Sequence, residues 1–211
     1  MDAEIVDDVP GAFATLVALE RPAALTLSGG GTAERCYAAL AREGGVDWEA
    51  VDVLIGDERW VPVDDEDSNE GMARRVLLDR VPVAAVHSMR DAGRTIDGAA
   101  DVYDALVRAR DDLGLVHLGL GPDGHTASLF PGSGALDVED RMVVATGDGL
   151  HPHPRLTLTF PAIERARLVV FTVEGEDKRE AFARVRGGEN LPAARVRAPR
   201  VKWLVDPAVA Q

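Results

Sequence analysis

Apolar runs of strand length alternate with segments of helical spacing along most of this chain. The strand-like runs are residues 24–28, 51–56, 115–120, 142–146, 156–160, 168–173 and 201–205. The helix-like segments, with apolar residues three or four positions apart, are 32–42, 69–78, 97–112 and 177–185. This alternation predicts an α/β fold with a mostly parallel sheet and helices on both faces. Because such sheets bind ligands at the carboxyl ends of their strands, the loops after residues 28, 56, 120 and 173 are the places to search.

The length of the chain favours a single domain. Its 211 residues lie within the range of α/β folds that form one unit, and no linker, repeat or low-complexity tract interrupts them. We therefore expect one domain over residues 1–211. Cys36 is the only cysteine, which excludes a disulfide scaffold.

The charge balance excludes several classes of partner. The chain has 23 Lys and Arg against 36 Asp and Glu, a formal net charge of −13, which argues against binding of nucleic acids or anionic membranes. No apolar run approaches the roughly 18–20 residues that cross a bilayer, and the acidic start at residues 1–4 is unlike a signal peptide. These features predict a cytoplasmic protein.

A glycine-rich loop follows the first strand-like run. Ser28-Gly29-Gly30-Gly31-Thr32 leads directly into a helix-like segment. Glycines let the backbone approach a ligand closely, and the N–H groups and positive dipole end of a helix start favour an anion. The loop lacks the Gly-Lys-Ser/Thr of a nucleotide P-loop, so a sugar phosphate suits it better than ATP. On spacing alone, a tight turn in which Thr32 or Ser28 caps the helix accounts for the loop equally well.

Charged residues follow the second strand-like run. Asp57, Glu58 and Arg59 come just after a buried strand, where a carboxylate can orient a neighbouring group and a guanidinium can bind a phosphate bidentately. The alternative is a surface ion pair, but the position at the end of a strand favours a functional role. Ser68 or Asn69 is interpreted as the cap of the next helix.

The third loop, residues 118–131, contains a formal Gly-x-Gly-x-x-Gly after a strand-like run. We reject a dinucleotide site, because Pro131 would cut short the helix that should receive the pyrophosphate and Pro122 stiffens the turn. The loop instead places His125 two residues after Asp123. A histidine in such a loop can act as a general base near neutral pH, and a carboxylate can fix its tautomer.

The other histidines and the cysteine are interpreted as structural. His87 and His117 flank or enter apolar segments and are expected to be packed or on the surface. His151 and His153 mimic a metal-binding pair, but their proline-rich context and the lack of a third ligand nearby favour a loop. Cys36 lies in the first helix-like segment, where a core or interface position is expected rather than a nucleophile.

In the same order along nearly the whole chain, these motifs resemble the family of 6-phosphogluconolactonases and glucosamine-6-phosphate isomerases. The matching stretches are residues 28–30, 57–62, 68–69, 119–131, 155–159, 175–178 and 191–194. The stretch 119–131 is highly specific, and the others are strong jointly. The resemblance implies a modified Rossmann-like α/β fold. It also implies hydrolysis of 6-phospho-D-glucono-1,5-lactone to 6-phospho-D-gluconate in the pentose phosphate pathway, with no metal or organic cofactor.

Two alternatives remain beside the lactonase. The glucosamine-6-phosphate deaminases share the Asp-Gly-His motif, but there it continues to a glutamate where this chain has Phe130, and a tyrosine stands where this chain has Arg59. These differences disfavour ring opening. A sugar-phosphate-binding regulator without turnover would need the glycine-rich loop but would have no use for His125.

Lactone hydrolysis implies a role for each candidate residue. His125 would activate a water at C1 and then protonate the ring oxygen, and Asp123 would orient it or only form the turn. Arg59 is the third catalytic candidate. The candidates for substrate binding are Ser28, Gly29, Gly30, Thr32, Asp57, Arg155 and Lys178.

The oligomeric state and the role of one acidic run each have two interpretations. The sequence fits a monomer or a weak homodimer with a small sugar phosphate as its partner. The acidic run at residues 64–67 either solvates a loop or gates the site.

Overall fold

The computed structural model describes residues 1–147 and 151–211. Its strands, in chain order, are β1 (Asp2–Ile5), β2 (Ala24–Leu27), β3 (Asp52–Ile55), β4 (Asp57–Arg59), β5 (Ala85–His87), β6 (Leu115–Leu118), β7 (Val143–Thr146), β8 (Arg155–Leu158), β9 (Leu168–Val173) and β10 (Val201–Val205). Seven of them form the main sheet in the order β1-β10-β9-β6-β2-β3-β5. Every neighbouring pair in this sheet is parallel. The predicted mostly parallel α/β sheet is therefore confirmed.

A small antiparallel sheet lies beside the main one, with the order β4-β8-β7. The predicted runs 142–146 and 156–160 supply β7 and β8, so they belong to this second sheet. The run 156–160 is also too long, because Thr159 is the N-cap of a short helix that starts at Phe160 with a proline in its first turn. The strand β4 is charged and three residues long, and no apolar pattern predicted it.

The helices, in chain order, are α1 (Val9–Glu20), α2 (Gly31–Glu43), α3 (Asn69–Ala73), α4 (Ile96–Arg108), α5 (Phe160–Ile163), α6 (Arg179–Arg186), α7 (Pro192–Arg195) and α8 (Pro207–Ala210). The prediction for 32–42 matches α2 to one residue at each end. The prediction for 69–78 is met by α3 together with a π-helical turn at Arg74–Leu78. The segment predicted over 97–112 ends earlier, at Arg108. No helix in the described ranges is long and apolar enough to cross a bilayer.

Two elements at the start of the chain escaped prediction. All four residues of β1 are exposed at the edge of the sheet, so it has no apolar run. The helix α1 is apolar at most positions, so no polar face reveals its period. Its start is nonetheless conventional, because the Asp8 carboxylate accepts the N–H of Gly11.

The centre of the main sheet is covered on both faces. Every residue of β2, β6 and β9 is buried, and successive side chains of a strand point to opposite faces. From β2 the chain continues to β3 and β5 on one side, and it later returns to β6, β9 and β10 on the other. The loops after β2, β3, β6 and β9 therefore meet at a topological switch point, where open α/β sheets bind ligands.

Candidate active site

A cleft of about 210 Å³ lies at this switch point. Nine of the ten site residues expected from the sequence line it, namely Ser28, Gly29, Gly30, Thr32, Asp57, Arg59, His125, Arg155 and Lys178. The tenth, Asp123, is hydrogen-bonded to His125. The structure thus brings together residues from five separate stretches of the chain.

The glycine-rich loop forms one wall of the cleft. Gly30 has a φ of +97°, which favours glycine, and α2 begins at the next residue. A Cβ on residue 29 would lie 1.9 Å from Asn69 Oδ1, so the close approach there requires Gly29. In the described chain no side chain caps α2, so the alternative of a turn capped by Thr32 or Ser28 is wrong. The first N–H groups of the helix are left for a ligand.

A buried series of hydrogen bonds holds this loop from below. Ser28 N–H donates to Tyr37 Oη at 2.6 Å, and the Ser28 carbonyl oxygen lies 3.1 Å from the same hydroxyl. His117 Nδ1 is 2.8 Å from Tyr37 Oη, and its Nε2 is 2.8 Å from Oγ1 of Thr172, a residue of the cleft wall. Burial lowers the pKa of His117 to about 3, so this ring stays neutral. We call Ser28, Tyr37, His117 and Thr172 the buried relay.

His125 and Asp123 form a pair at the edge of the sheet. His125 Nδ1 lies 2.5 Å from Asp123 Oδ1, and the same oxygen accepts the His125 backbone N–H at 3.1 Å. The Gly121 N–H donates to the His125 carbonyl at 2.9 Å. A Cβ on residue 121 would lie 2.1 Å from the His125 ring, so Gly121 is needed for the ring to occupy this place. Both the carboxylate and the loop therefore orient the imidazole.

The surroundings keep His125 neutral. Its burial lowers the pKa of the ring below 6.5, against the opposing effect of the Asp123 carboxylate. Partial burial raises the pKa of Asp123, but its bonds and charge contact with His125 outweigh this and leave the pKa of Asp123 lowered. With Nδ1–H donated to a carboxylate, Nε2 is the basic nitrogen of the neutral ring. The ring of Phe130 packs against the imidazole with 4.6 Å between centroids.

Arg59 is held at the cleft by neutral partners. Its Nη1 donates to the carbonyl oxygen of Asp67 at 2.7 Å and to Asn69 Oδ1 at 2.8 Å. Asn69 Nδ2 in turn donates to the Asp57 carbonyl at 2.7 Å, and the Asp57 carboxylate accepts a bond from Ser128 Oγ at 2.8 Å. These contacts replace the surface ion pair considered from the sequence, and they hold a guanidinium at the cleft.

Glu58 has a structural role. Its buried carboxylate accepts the backbone N–H groups of Arg59, Asn69 and Glu70 at 2.7–2.8 Å and the Ser68 hydroxyl at 3.0 Å. Burial raises the pKa of Glu58, while these four donors favour the carboxylate. Ser68 caps α3 as expected, since its hydroxyl accepts a backbone N–H of the first turn. Asn69 is instead the first helical residue and faces the cleft.

Cationic side chains concentrate in the cleft. Arg155 on β8 is the direct cross-strand partner of Arg59 on β4, and its guanidinium carbon lies 5.4 Å from the centre of the Phe130 ring. Lys178 also lines the cleft and pairs with Asp177 at 3.0 Å. A chain with a net charge of −13 thus has a local positive centre that suits an anionic ligand.

The model of the family described as glucosamine-6-phosphate isomerases/6-phosphogluconolactonase matches residues 2–205. The chain belongs to this family.

Several 6-phosphogluconolactonases resemble the chain over most of its length. The 6-phosphogluconolactonase of Synechocystis sp. is 42% identical over 86% of this chain and 81% of that protein. The 6-phosphogluconolactonase of Mycobacterium tuberculosis is 40% identical over 93% of this chain and 87% of that protein. The crystal structure of 6-phosphogluconolactonase from Thermotoga maritima superposes with a TM-score of 0.86 at 29% identity, covering 97% of this chain and 99% of that one.

Three polar residues of the cleft were not among the site residues predicted from the sequence. Asn69, Thr172 and Glu174 all line the cleft. Thr172 and Glu174 lie at the carboxyl end of β9, so the rule that pointed to the loop after residue 173 would have found them. Asn69 comes ten residues after Arg59, and no local pattern distinguishes it from a helix cap.

Other histidines and the cysteine were interpreted as structural, and the structure shows where they lie. His117 and Cys36 are fully buried, as expected for packed residues, and burial raises the pKa of the Cys36 thiol to about 12. His87 is half-buried on β5. His153 Nε2 lies 3.0 Å from Asp67 Oδ2. Within residues 1–147 and 151–211, no three His, Cys, Asp or Glu side chains are grouped as metal ligands would be.

Proposed function

We propose that this chain hydrolyses 6-phospho-D-glucono-1,5-lactone to 6-phospho-D-gluconate in the pentose phosphate pathway. The observation that carries the proposal is the His125–Asp123 pair, whose neutral imidazole lies in a cleft with three cationic side chains. Hydrolysis of a lactone requires a base that removes a proton from water, and binding of the substrate phosphate requires positive charge. Relatives named 6-phosphogluconolactonase at 40–42% identity support the choice of substrate.

His125 acts as the general base and then as the general acid. Nε2 takes a proton from a water, and the water oxygen forms a bond to C1 while the carbonyl electron pair moves to the carbonyl oxygen. When the tetrahedral intermediate collapses, the bond between C1 and the ring oxygen breaks, and His125 returns the proton to that oxygen. Asp123 holds Nδ1 throughout and stabilises the imidazolium. General acid–base help of this kind typically contributes about 10²–10⁴-fold.

The rest of the cleft binds the anionic parts of the substrate. The N–H groups at the start of α2, the Ser28-Gly29-Gly30 backbone and the Thr32 hydroxyl offer donors to the phosphate. Arg59, Arg155 and Lys178 supply positive charge to the phosphate and to the developing oxyanion. The Asp57 carboxylate is an acceptor for a sugar hydroxyl.

Phe130 favours the lactonase over the deaminase. Its ring packs against His125 at a tilt of 49°, so an apolar group lies beside the imidazole at the position where the deaminase pattern has a carboxylate. A second carboxylate would raise the pKa of the histidine and favour its charged form. A neutral base next to an aromatic ring suits water activation better.

We further propose that the enzyme acts in the cytoplasm and needs no metal or organic cofactor. It forms one domain over residues 1–211 and is a monomer or weak homodimer. The net charge of −13 supports the absence of a nucleic-acid partner.

The decisive experiment generates the lactone in situ from glucose 6-phosphate and follows the release of acid with and without the protein. We expect a large acceleration over the spontaneous rate. A rate equal to the spontaneous one would contradict the hydrolase and leave a regulator that binds sugar phosphates. Release of ammonia from glucosamine 6-phosphate, measured in parallel, would identify a deaminase.

A further inference from the structure

Arg35 is the fifth residue of α2, at the rim of the cleft. Its Nε and Nη2 donate to Glu174 Oε2 at 3.1 and 2.8 Å, and Nη2 also lies 3.2 Å from Thr32 Oγ1. Its Nη1 lies beside Gly31, 3.5 Å from the point where a Cβ of that residue would be. The guanidinium is thus held directly over the start of the helix.

The position of this cation beside a helix start is electrostatically unfavourable by itself. A helix N-terminus bears a partial positive charge, so a cation beside it is unfavourable. The Arg35 side chain is 55% exposed, and an ion pair of such exposure contributes little to stability. An anion at the helix start would remove the conflict, because it would interact favourably with both the dipole and the guanidinium.

The Glu174 carboxylate is unfavourable for binding of an anion. Its side chain is only 19% exposed and lines a cleft that otherwise suits an anion. A carboxylate there repels a phosphate unless a cation neutralises it. Its two bonds to Arg35 supply that neutralisation and also direct the arginine toward the glycine-rich loop.

We propose that Arg35 contacts the substrate phosphate and sets the preference for phosphorylated over unphosphorylated lactones, with Glu174 as the positioning residue that holds it over Gly31 and Thr32. The inference rests on the proposed lactonase function and adds a phosphate ligand that the motifs of the sequence did not indicate. Nη1 donates to the phosphate while Nε and Nη2 keep their bonds to Glu174. The arginine thereby adds a charge-assisted bond that a sugar without the phosphate cannot make.

The test compares Arg35→Ala with a matched control on the same helix. Arg42→Ala removes an arginine that is 70% exposed and pairs only with its neighbour Glu43 among the described residues. Calorimetry measures the Kd of 6-phosphogluconate for each variant. We expect Arg35→Ala to raise this Kd roughly three- to tenfold and Arg42→Ala to leave it unchanged. The KM for the phosphorylated lactone should rise by the same factor with kcat retained, while kcat/KM for unphosphorylated gluconolactone stays constant.

A double variant separates direct contact from the mere neutralisation of Glu174. If Arg35 only masks the carboxylate, Arg35→Ala combined with Glu174→Ala will restore the wild-type Kd, and the proposal is then wrong. If Arg35 contacts the phosphate, the double variant will stay weakened. An unchanged Kd in Arg35→Ala, with an active wild-type enzyme, also overturns the inference. An inactive wild-type protein would instead contradict the proposed function.

Discussion

Arg59 and Arg155 are direct cross-strand partners in the antiparallel pair of β4 and β8. Side chains in this relation lie on the same face of the sheet, and like charges so placed repel each other. Both arginines line the cleft. An anion that binds beside both guanidiniums would stabilise the folded state, so ligand binding and stability should be coupled.

The first prediction follows from this coupling. At a concentration of about 100 times its Kd, 6-phosphogluconate should stabilise the fold by about 2.7 kcal/mol and raise the Tm by roughly 5–10 °C. Differential scanning fluorimetry measures the shift. Gluconate at the same concentration, which lacks the phosphate, is the control and should shift the Tm far less. Equal shifts for the two ligands would contradict a phosphate site at these arginines.

Removal of the proposed base should separate turnover from binding. In His125→Ala we expect kcat to fall about 10²–10⁴-fold, because the water loses its proton acceptor, while KM changes by no more than a few-fold. The in-situ lactone assay measures both parameters. His87→Ala, on the edge strand β5, is the matched control and should behave as the wild type. Near-normal turnover in the His125 variant would exclude the mechanism.

The pH profile should show one acidic limb. Protonation of His125 inactivates the base, and burial lowers its pKa below 6.5, so kcat/KM should be constant at neutral pH and fall only on the acidic side of 6.5. The Asp123 carboxylate raises the pKa of His125. Asp123→Asn should therefore move the limb to still lower pH and reduce the plateau, since the ring also loses its orienting acceptor. A limb that moves to higher pH in this variant would show that Asp123 does not act on the imidazole.

Glu58 should matter for stability and only indirectly for chemistry. It is 1% exposed, and Glu58→Ala leaves three backbone N–H groups and a hydroxyl without their acceptor. We expect a loss of about 2–4 kcal/mol in the free energy of unfolding, measured by urea denaturation. Glu66→Ala, an exposed residue of the loop before α3, is the control and should change stability by less than about 0.5 kcal/mol. A Glu58 variant as stable as this control would show that α3 does not depend on the buried carboxylate.

The loops that build the cleft could be predicted because apolar runs mark buried parallel strands, whose carboxyl ends must meet. The pairing of His125 with Asp123 could also be predicted, because the two residues belong to one short loop. The position of Asn69 in the cleft could not be predicted, because it depends on α3 folding back onto Glu58 and Arg59. Contacts between residues that are distant in sequence leave no local pattern. The separate sheet of β4, β7 and β8 escaped for a related reason, since alternation predicts strands but not which strands pair.

The buried relay fixes the glycine-rich loop in place independently of a ligand. Tyr37 belongs to α2, His117 to β6 and Thr172 to β9, so the hydrogen bonds among them join the glycine-rich loop and the start of α2 to two neighbouring strands of the sheet. The loop cannot move away from these strands without breaking bonds that are shielded from water. The start of α2 and the carboxyl ends of β6 and β9 therefore take up their relative positions when the chain folds, so the donors of the glycine-rich loop should already be in place when the substrate phosphate arrives.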